Sequence, residues 1–498
     1  MRKSITFTDL CFLIMGLGSL IFWYANGMNG NDFWWHVKAG EYICKTGQIP
    51  TNDFFSWVNE LSVIPWTAHE WLSEIILYLL YHYGGQVGVF LIFFMLACLS
   101  YYFVYRQVRI HAKNNYAFSG LFLFFYSVVA PMFYFGRPHV FSFFLFFFEL
   151  KILYSFYEKD GGKQIWLIPL IAVLWSNLHG GSSNLSYLLC LMFLFASSFS
   201  FSVGRVEGQQ ISKKSRKTLA LVTVCTAAAI FVNPIGLKVF AFPYINIGDK
   251  LSMALVREWQ NPDVKEIGQL ILLFFPIVLL FMGFVTEEKK IRLVDLLVMA
   301  FFVYLFLRSV RFIILWYLAA TFCALPYLPK LDGQIIKQKW GKIAGEVCII
   351  CGLLLGIGGM VTAVKTIQSG KIIKTVLGEK MIQTIKDASP KHLFNHYDFG
   401  ETLIFHDLPV FFDSRADMYA KTDVLADGFG LIQLQNLNPN AATDVFDVEG
   451  IMEKYQFDYF VVNSTTPIYV YLTDHSERYE LLFEEDNAAF FAVKARGE

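Results

Sequence analysis

Long apolar runs separated by short polar loops fill the first three-quarters of the chain. Eleven of them predict membrane-spanning helices: Asp9–Ala25, Val87–Tyr105, Ala117–Phe133, Val140–Phe156, Ile165–Asn177, Ser182–Phe201, Leu219–Val232, Gln269–Val285, Leu293–Leu307, Phe312–Leu328 and Ile343–Val364. A hydrocarbon core takes about 20 apolar residues per helix, with about 17 as the lower limit. Ile165–Asn177 is shorter, so the pattern predicts a broken span or one that continues through His179-Gly180-Gly181. Trp71–Tyr83 is also too short to cross. Its apolar residues Leu72, Ile75, Ile76, Leu79 and Leu80 recur at helical spacing, which predicts an interfacial helix feeding the second span. Beyond residue 364 the pattern changes. Thr375–Ala388 reads as a helix and His392–Asn395 as a short extended segment. Val410–Asp413 and Phe457–Asn463 read as buried strands, and Glu480–Glu485 with Ala488–Ala495 as a hairpin turned at Asp486-Asn487. The expected fold class is an α-helical polytopic membrane protein of about eleven transmembrane helices (1–364) with a C-terminal soluble α/β domain (365–498).

Composition sharpens this. The 498 residues are 55% hydrophobic, 17% aromatic and 16% charged, against roughly 25% charged in a soluble domain. With a mean hydropathy of +0.47, lipid is the main solvent. A soluble enzyme, a disordered chain and a disulfide scaffold are excluded. The net charge of zero conceals a split, because residues 364–498 hold 12 Lys+Arg against 21 Asp+Glu. No basic stripe stands clear of the membrane-flanking positions, so a nucleic-acid partner is not expected. Seven of the eight Cys lie in apolar runs; Cys348-x-x-Cys351 falls inside a span and reads as small buried side chains rather than a redox pair.

Lys and Arg set the sidedness. Alternate loops carry 19 of them on one face (Arg2/Lys3, Arg106 to Lys113, Lys159/Lys163, Arg205 to Lys217, Lys289 to Arg292, Lys330 to Lys342) and nine on the other. The N-terminus is therefore expected in the cytoplasm, with the first segment retained because no small-x-small cleavage site follows it. An odd number of spans then places loop 26–71, loop 235–266 and the C-terminal domain outside. The basic loop Gly204–Lys217 is read as an inside-face anchor without chemistry.

Loop 26–71 is long for so hydrophobic a chain, and such loops usually carry function. Asp32 and His36 stand at i and i+4, so a helix here puts them on one face. A carboxylate beside an apolar surface serves as a base or holds a divalent metal. Asp53 has the setting of an N-cap. His69-Glu70 precedes the interfacial helix, where the pair can cap it, orient a substrate or bind metal. Trp34, Trp35, Trp57, Trp66 and Trp71 suit a loop at headgroup level.

These residues carry a resemblance. Asp32-Phe33-Trp34-Trp35-His36 with Gly40-Glu41, Gly47-x-Ile49-Pro50-x-x-Asp53-x-Phe55-Ser56 and His69-Glu70-Trp71-Leu72-x-Glu74 resemble a group of bacterial polytopic membrane proteins. The resemblance continues through Arg137-Pro138, Trp175-x-Asn177-Leu178-His179-Gly180-Gly181, Asn233-Pro234-x-Gly236, Glu258-Trp259-x-x-Pro262-Asp263 and Asp413-x-Arg415-Ala416-Asp417-x-Tyr419. That group is related to the GT-C superfamily of integral-membrane glycosyltransferases, which includes protein O-mannosyltransferases, aminoarabinose transferases and oligosaccharyltransferases. The resemblance implies a sugar donor on a polyprenyl phosphate, transfer on the outer face of the bacterial plasma membrane, and an essential Asp in the first outer loop, matched here by Asp32. It also implies inversion at the anomeric carbon. The chain departs from the oligosaccharyltransferases in lacking WWDYG and a paired acidic motif in the first loop.

On this reading Asp32 is the general base or metal ligand, with Mg or Mn as the metal if there is one, supported by His36, His69 and Glu70. Arg137, Arg257, Arg308 and Arg311 fall near the predicted outer ends of spans and suit the donor phosphate, since a guanidinium binds phosphate bidentately. Snorkelling to the headgroups is the competing role of each. Asp53, His139, Asn177, His179, Glu258 and Trp259 are candidates for orienting the substrate. Asp413, Arg415, Asp417 and Tyr419 follow a predicted strand end and form either a binding loop or an internal Arg–Asp pair. The acceptor is a cell-surface glycan, lipid or protein. Two rivals stand beside this: a transporter or flippase of lipid-linked sugars, and a non-catalytic envelope assembly protein. A transporter is expected to bury charge at mid-span; Glu149, Lys151, Asp295 and Glu346 are read as lying near span ends, which favours surface chemistry.

Overall fold

A computed structural model describes all residues except 1–5, 26, 30, 112–115, 248, 264, 287–289, 329–338, 371, 420, 438–445 and 495–498. Arg2, Lys3, Lys113, Lys289, Lys330 and Lys337 of the basic loops lie outside the described residues. The chain forms two compact units that interleave in sequence. One contains 1–28, 83–240 and 258–372; the other contains 29–82, 241–257 and 373–498.

The first unit is a bundle of apolar helices. Among the described residues, three helices are long and apolar enough to cross a membrane by length and composition: Trp71–Ile110, His139–Glu158 and Ile349–Gln368. Shorter apolar helices include Asp9–Tyr24, Phe118–Met132, Lys163–Leu178, Gly180–Ala196, Ile267–Met282 and Val310–Cys323. Trp71–His111 runs on from the predicted interfacial segment but breaks at Gly85, whose φ of 57° and ψ of −164° suit a residue without a Cβ. The helix Ile349–Gln368 leaves Leu353, Leu354, Ile357, Val361 and Val364 exposed, as a helix solvated by lipid does.

Glycines let two helices of this bundle touch. A Cβ on Gly18 would lie 2.0 Å from the Gly352 carbonyl oxygen, one on Gly352 2.8 Å from the Ile14 oxygen, and one on Gly359 2.8 Å from Phe22 Cα. Bare backbone on both sides gives the close approach that apolar helices need when lipid removes the hydrophobic driving force. A buried polar knot pins another corner. Asp295 takes hydrogen bonds from Arg292 Nε (2.7 Å), Tyr154 (2.8 Å) and Tyr327 (2.5 Å).

Glu149 corrects an expectation. It lies midway along the helix His139–Glu158 and is fully buried, with Cys190 Sγ 3.9 Å from one carboxyl oxygen. The helix extends well past it in both directions, so it is a mid-helix carboxyl rather than an end residue.

The second unit is an α/β body. Its four-stranded sheet runs Leu393–Asn395, Tyr459–Asn463, Ala488–Val493, Tyr479–Glu485; the first pair is parallel and the others antiparallel. The hairpin and the helix Glu379–Ala388 stand where the pattern placed them. Val410–Asp413 is not a strand. The Asn395 side chain takes over the backbone bonding there, accepting from Phe411 N at 2.7 Å and donating to the Phe412 carbonyl at 2.9 Å. Residues of loop 26–71 belong to the core of this unit: Trp35, Trp57, Val58, Ile64 and Trp66 are buried with Leu393, Phe411 and Phe460. The tryptophans of the loop were expected at headgroup level. Trp34, Trp35, Trp57 and Trp66 instead lie inside protein, because the C-terminal segment contributes to the core around them and accepts the indole N–H groups of Trp34, Trp35 and Trp57, as where Trp57 donates to the Leu393 carbonyl at 3.0 Å.

Gly352→Leu should force the two helices apart, lowering stability in detergent by about 1–3 kcal/mol as overpacking does. Gly358→Ala, where nothing lies within 4 Å of the added atom, should leave the melting curve unchanged.

Candidate functional site

Asp32 and His36 lie in the helix Asn31–Thr46, Asp32 half-buried in its first turn and His36 one turn on and buried. An acid there is favoured by the helix dipole. His36 stands between two carboxylates, with Nε2 3.9 Å from Glu70 and Nδ1 3.8 Å from Glu74. Glu74 carried no role in the sequence reading. It is one helical turn beyond Glu70, so any helix starting at Glu70 presents both acids to one imidazole. His69 Nδ1 bonds the Thr67 carbonyl at 3.0 Å, its Nε2 lies 3.9 Å from Glu70, and its ring packs on Phe242 at 3.9 Å. The structure thus joins Glu70 and His69 to His36, which lies on the helix that carries Asp32, in one acidic–imidazole chain.

A second cluster locks this helix to the C-terminal segment. Arg415, 3% exposed, pairs with Asp413 through Nε at 2.8 Å and Nη2 at 2.6 Å, and with Asp53 through Nη1 at 2.9 Å. Tyr419 donates to Asp413 at 2.8 Å. The guanidinium faces Trp66 at 4.7 Å, Phe55 at 4.9 Å and Trp35 at 5.9 Å, and Trp35 donates to Ser414 Oγ at 3.2 Å. Asp53 also accepts from the backbone of Phe55 and Ser56, both at 3.1 Å. Asp53, Asp413, Arg415 and Tyr419 therefore bond to one another inside the protein; Asp417 is half-buried beside them.

Glu401 is the residue that sequence reasoning missed. It opens a short helix, Gly400–Phe405, that packs on Asn31–Thr46 with Phe405 against Trp34 (4.3 Å) and Asp407 paired to Lys38 (2.5 Å). Gly400 permits this seat, since a Cβ there would come within 2.6 Å of the Phe412 carbonyl oxygen. Glu401 is 1% exposed; one carboxyl oxygen accepts from Ser414 N at 2.7 Å, and the other has no hydrogen-bond partner among the described residues. Burial, then the charges of Asp32 and Asp413, push its carboxyl up to about 8. An acid ahead of an apolar run reads as a helix-start residue, so nothing in the local sequence marked it.

The remaining candidates lie in the first unit, apart from Arg257, which is exposed in the second. Arg137 donates to Glu258 at 2.7 Å and lies 5.2 Å from the Phe135 ring. Burial alone would raise the Glu258 carboxyl, but Arg137 and Arg311 outweigh it and hold the group well below the usual range. Ser309 donates to the Glu258 carbonyl at 2.9 Å. His139 Nε2 bonds the Phe133 carbonyl at 2.7 Å. His179 Nδ1 bonds Ser142 and Ser182, both at 2.7 Å, and Trp175 donates to the same Ser142 hydroxyl at 2.8 Å. Asn177 donates to the carbonyls of Val173 (2.8 Å) and Val232 (2.9 Å). Arg308 is exposed and Trp259 half-buried.

No protein-family model and no curated protein matches the sequence. Among solved structures, the chain is similar to the Archaeoglobus fulgidus oligosaccharyltransferase in its apo form, with a TM-score of 0.54 over 92% of this chain and 69% of that one at 12% identity. It is equally similar to the archaeal oligosaccharyltransferase AglB of Archaeoglobus fulgidus in complex with an inhibitory peptide and a dolichol-phosphate, with a TM-score of 0.55 over 91% and 69% at 12% identity. At that identity the likeness is one of fold.

Two predictions follow from the geometry. Arg415→Met leaves two buried carboxylates uncompensated, so it should cost about 3–5 kcal/mol in denaturant or thermal unfolding; a change under about 1 kcal/mol would contradict the cluster. For Glu401, the folded carboxyl holds its proton to about pH 8, whereas the ordinary value is 4.5. The folded state binds the extra proton between those values, so its stability falls as pH rises through that window. With EDTA present, Glu401→Gln should gain melting temperature over the parent between pH 5 and 8.5; a constant gap would refute the assignment.

Proposed function

We propose that the chain is a membrane glycosyltransferase of the GT-C type, transferring a sugar from a polyprenyl-phosphate carrier to a glycan, lipid or protein at the outer face of a bacterial plasma membrane. The observation that carries this reading is the likeness of fold over 92% of the chain to an oligosaccharyltransferase. A related structure holds dolichol-phosphate and a peptide, which supports a lipid-linked donor and a protein acceptor as the classes to test first. About eleven spans, an N-terminus in the cytoplasm and an external C-terminal segment belong to the same proposal.

In it, Asp32 accepts a proton from, or orients, the acceptor nucleophile, from its half-buried place in the first turn of the helix Asn31–Thr46. General-base assistance of this kind contributes about 10²–10⁴-fold. Glu70, His36 and Glu74 form a chain that fixes the protonation state near it. Arg137 and Arg311 already hold one anion, Glu258, so their charge suits a phosphate; Arg257 and Arg308 add exposed cations. His139, Asn177, His179 and Trp259 would shape the sugar site. The Arg415 cluster has the supporting role of keeping the helix of Asp32 in place.

One observation favours a second reading, the movement of lipid-linked sugars across the bilayer: the carboxyl of Glu149 is buried at mid-helix, where transporters place ionisable groups. Purified protein incubated with a panel of radiolabelled polyprenyl-phosphate sugars and envelope acceptors separates the two. Transfer of label that falls at least about a hundredfold in Asp32→Asn is the expected result. No turnover by folded protein, with transbilayer movement lost in Glu149→Gln, would replace the enzyme by the carrier.

A further inference from the structure

The helix His139–Glu158 ends beside a cavity of about 200 Å³. Ile152, Ser155, Phe156 and Lys159 recur at i, i+3, i+4 and i+7, so one face of the helix end forms a wall. Gly161, Gly162 and residues 163–165 line the rest of it. The turn between the two sides is fixed. Asp160, Gly161 and Gly162 take positive φ in succession, at 48°, 137° and 149°. The Asp160 carboxylate accepts from Ser212 N at 2.8 Å, and Ser215 Oγ donates to the Asp160 carbonyl at 2.7 Å. A Cβ on Gly162 would meet nothing within 4 Å, so the backbone borders open space there.

The cavity is amphipathic. Ile152, Phe156 and Ile165 give it apolar surface, while Lys159 and Lys163, both exposed, give it a cationic rim. Neither lysine has an ion pair among the described residues. The acids next to them in sequence are engaged elsewhere: Glu158 pairs with Arg292 at 2.9 Å, and Asp160 holds Ser212. Two ammonium groups at one opening, with no carboxylate to neutralise them, favour an anion.

The surroundings identify the kind of anion. The apolar helix Lys163–Leu178 starts at the cavity and carries an outward stripe. Trp166 and Leu167 are each 48% exposed, Leu170 57% and Leu174 45%. In a bilayer such a stripe is solvated by acyl chains, and a tryptophan at its end suits the headgroup level. The cationic rim therefore lies where the phosphates of a leaflet lie, with the stripe running on from it. A soluble phosphate would meet the charge and leave the stripe unused.

We propose that this cavity binds the headgroup of an anionic phospholipid, its phosphate paired with Lys159 and Lys163 and an acyl chain lying along the stripe of 166–174. Basic pockets between membrane helices bind acidic headgroups in this way, each Lys contributing about fivefold in affinity. The site requires lipid around the bundle and nothing of the sugar chemistry.

The test is native mass spectrometry of the full chain in detergent, titrated with dioleoyl phosphatidylglycerol and, separately, with dioleoyl phosphatidylcholine. The parent should bind the first phosphatidylglycerol at least about tenfold more tightly than phosphatidylcholine. Lys159→Gln with Lys163→Gln should remove at least about tenfold of that affinity, with a parent-like melting curve because both side chains are exposed. Arg106→Gln with Lys290→Gln takes the same charge from other exposed positions and should leave the affinity unchanged. Equal binding of the two lipids by the parent would overturn the proposal. So would an equal loss in both double variants, which would reduce the effect to the general charge of the basic loops. Displacement of phosphatidylglycerol by millimolar glycerol phosphate would overturn it in favour of a soluble phosphate ligand.

Discussion

The guanidinium of Arg415 is the point on which the second unit depends. It lies under three aromatic rings and between two carboxylates from opposite ends of the chain, Asp53 and Asp413. Neither acid could be buried without it, and its own desolvation is tolerable only because both are there. The bond joins a loop near the N-terminus to a turn about 360 residues later. Everything proposed for Asp32 presupposes that joint, because the helix of Asp32 packs on the segment Gly400–Phe405 that the joint holds in place.

Around it the unit solves a polar problem with apolar means. Tryptophans in the loop carry indole N–H groups into the interior, where the backbone and Ser414 of the C-terminal segment accept them. Asn395 substitutes for a missing strand by satisfying both sides of Phe411-Phe412. Satisfaction is incomplete at several acids: one oxygen of Glu401 has a partner and the other does not, and one oxygen each of Glu74 and Glu485 is likewise buried without a hydrogen bond among the described residues.

Much of this was legible in the sequence, and the boundary has a physical basis. Helical period placed Asp32 and His36 on one helix, and the i+4 spacing of Glu70 and Glu74 is visible by eye. The Asp413–Arg415 pair was readable because a single residue separates the partners. Asp53 was not readable as the third member, since a contact across 360 residues leaves no local trace. The tryptophans misled because an indole suits a membrane interface and a protein core equally well until its covering segment is known. Val410–Asp413 misled because a run of buried apolar residues has the same pattern whether its hydrogen bonds go to a strand or to a side chain. Glu149 misled in another way: a single charge within an apolar run was weighed by its distance from polar loops rather than by its place in the helix.

The central claim is that Asp32 marks the seat of a lipid-linked donor. The most direct measurement is a cryo-electron microscopy map of the chain in nanodiscs with a non-transferable polyprenyl-phosphonate sugar. The account predicts the anomeric carbon within reach of the Asp32 carboxylate. Density for the sugar elsewhere, with Asp32 facing only protein, would contradict it.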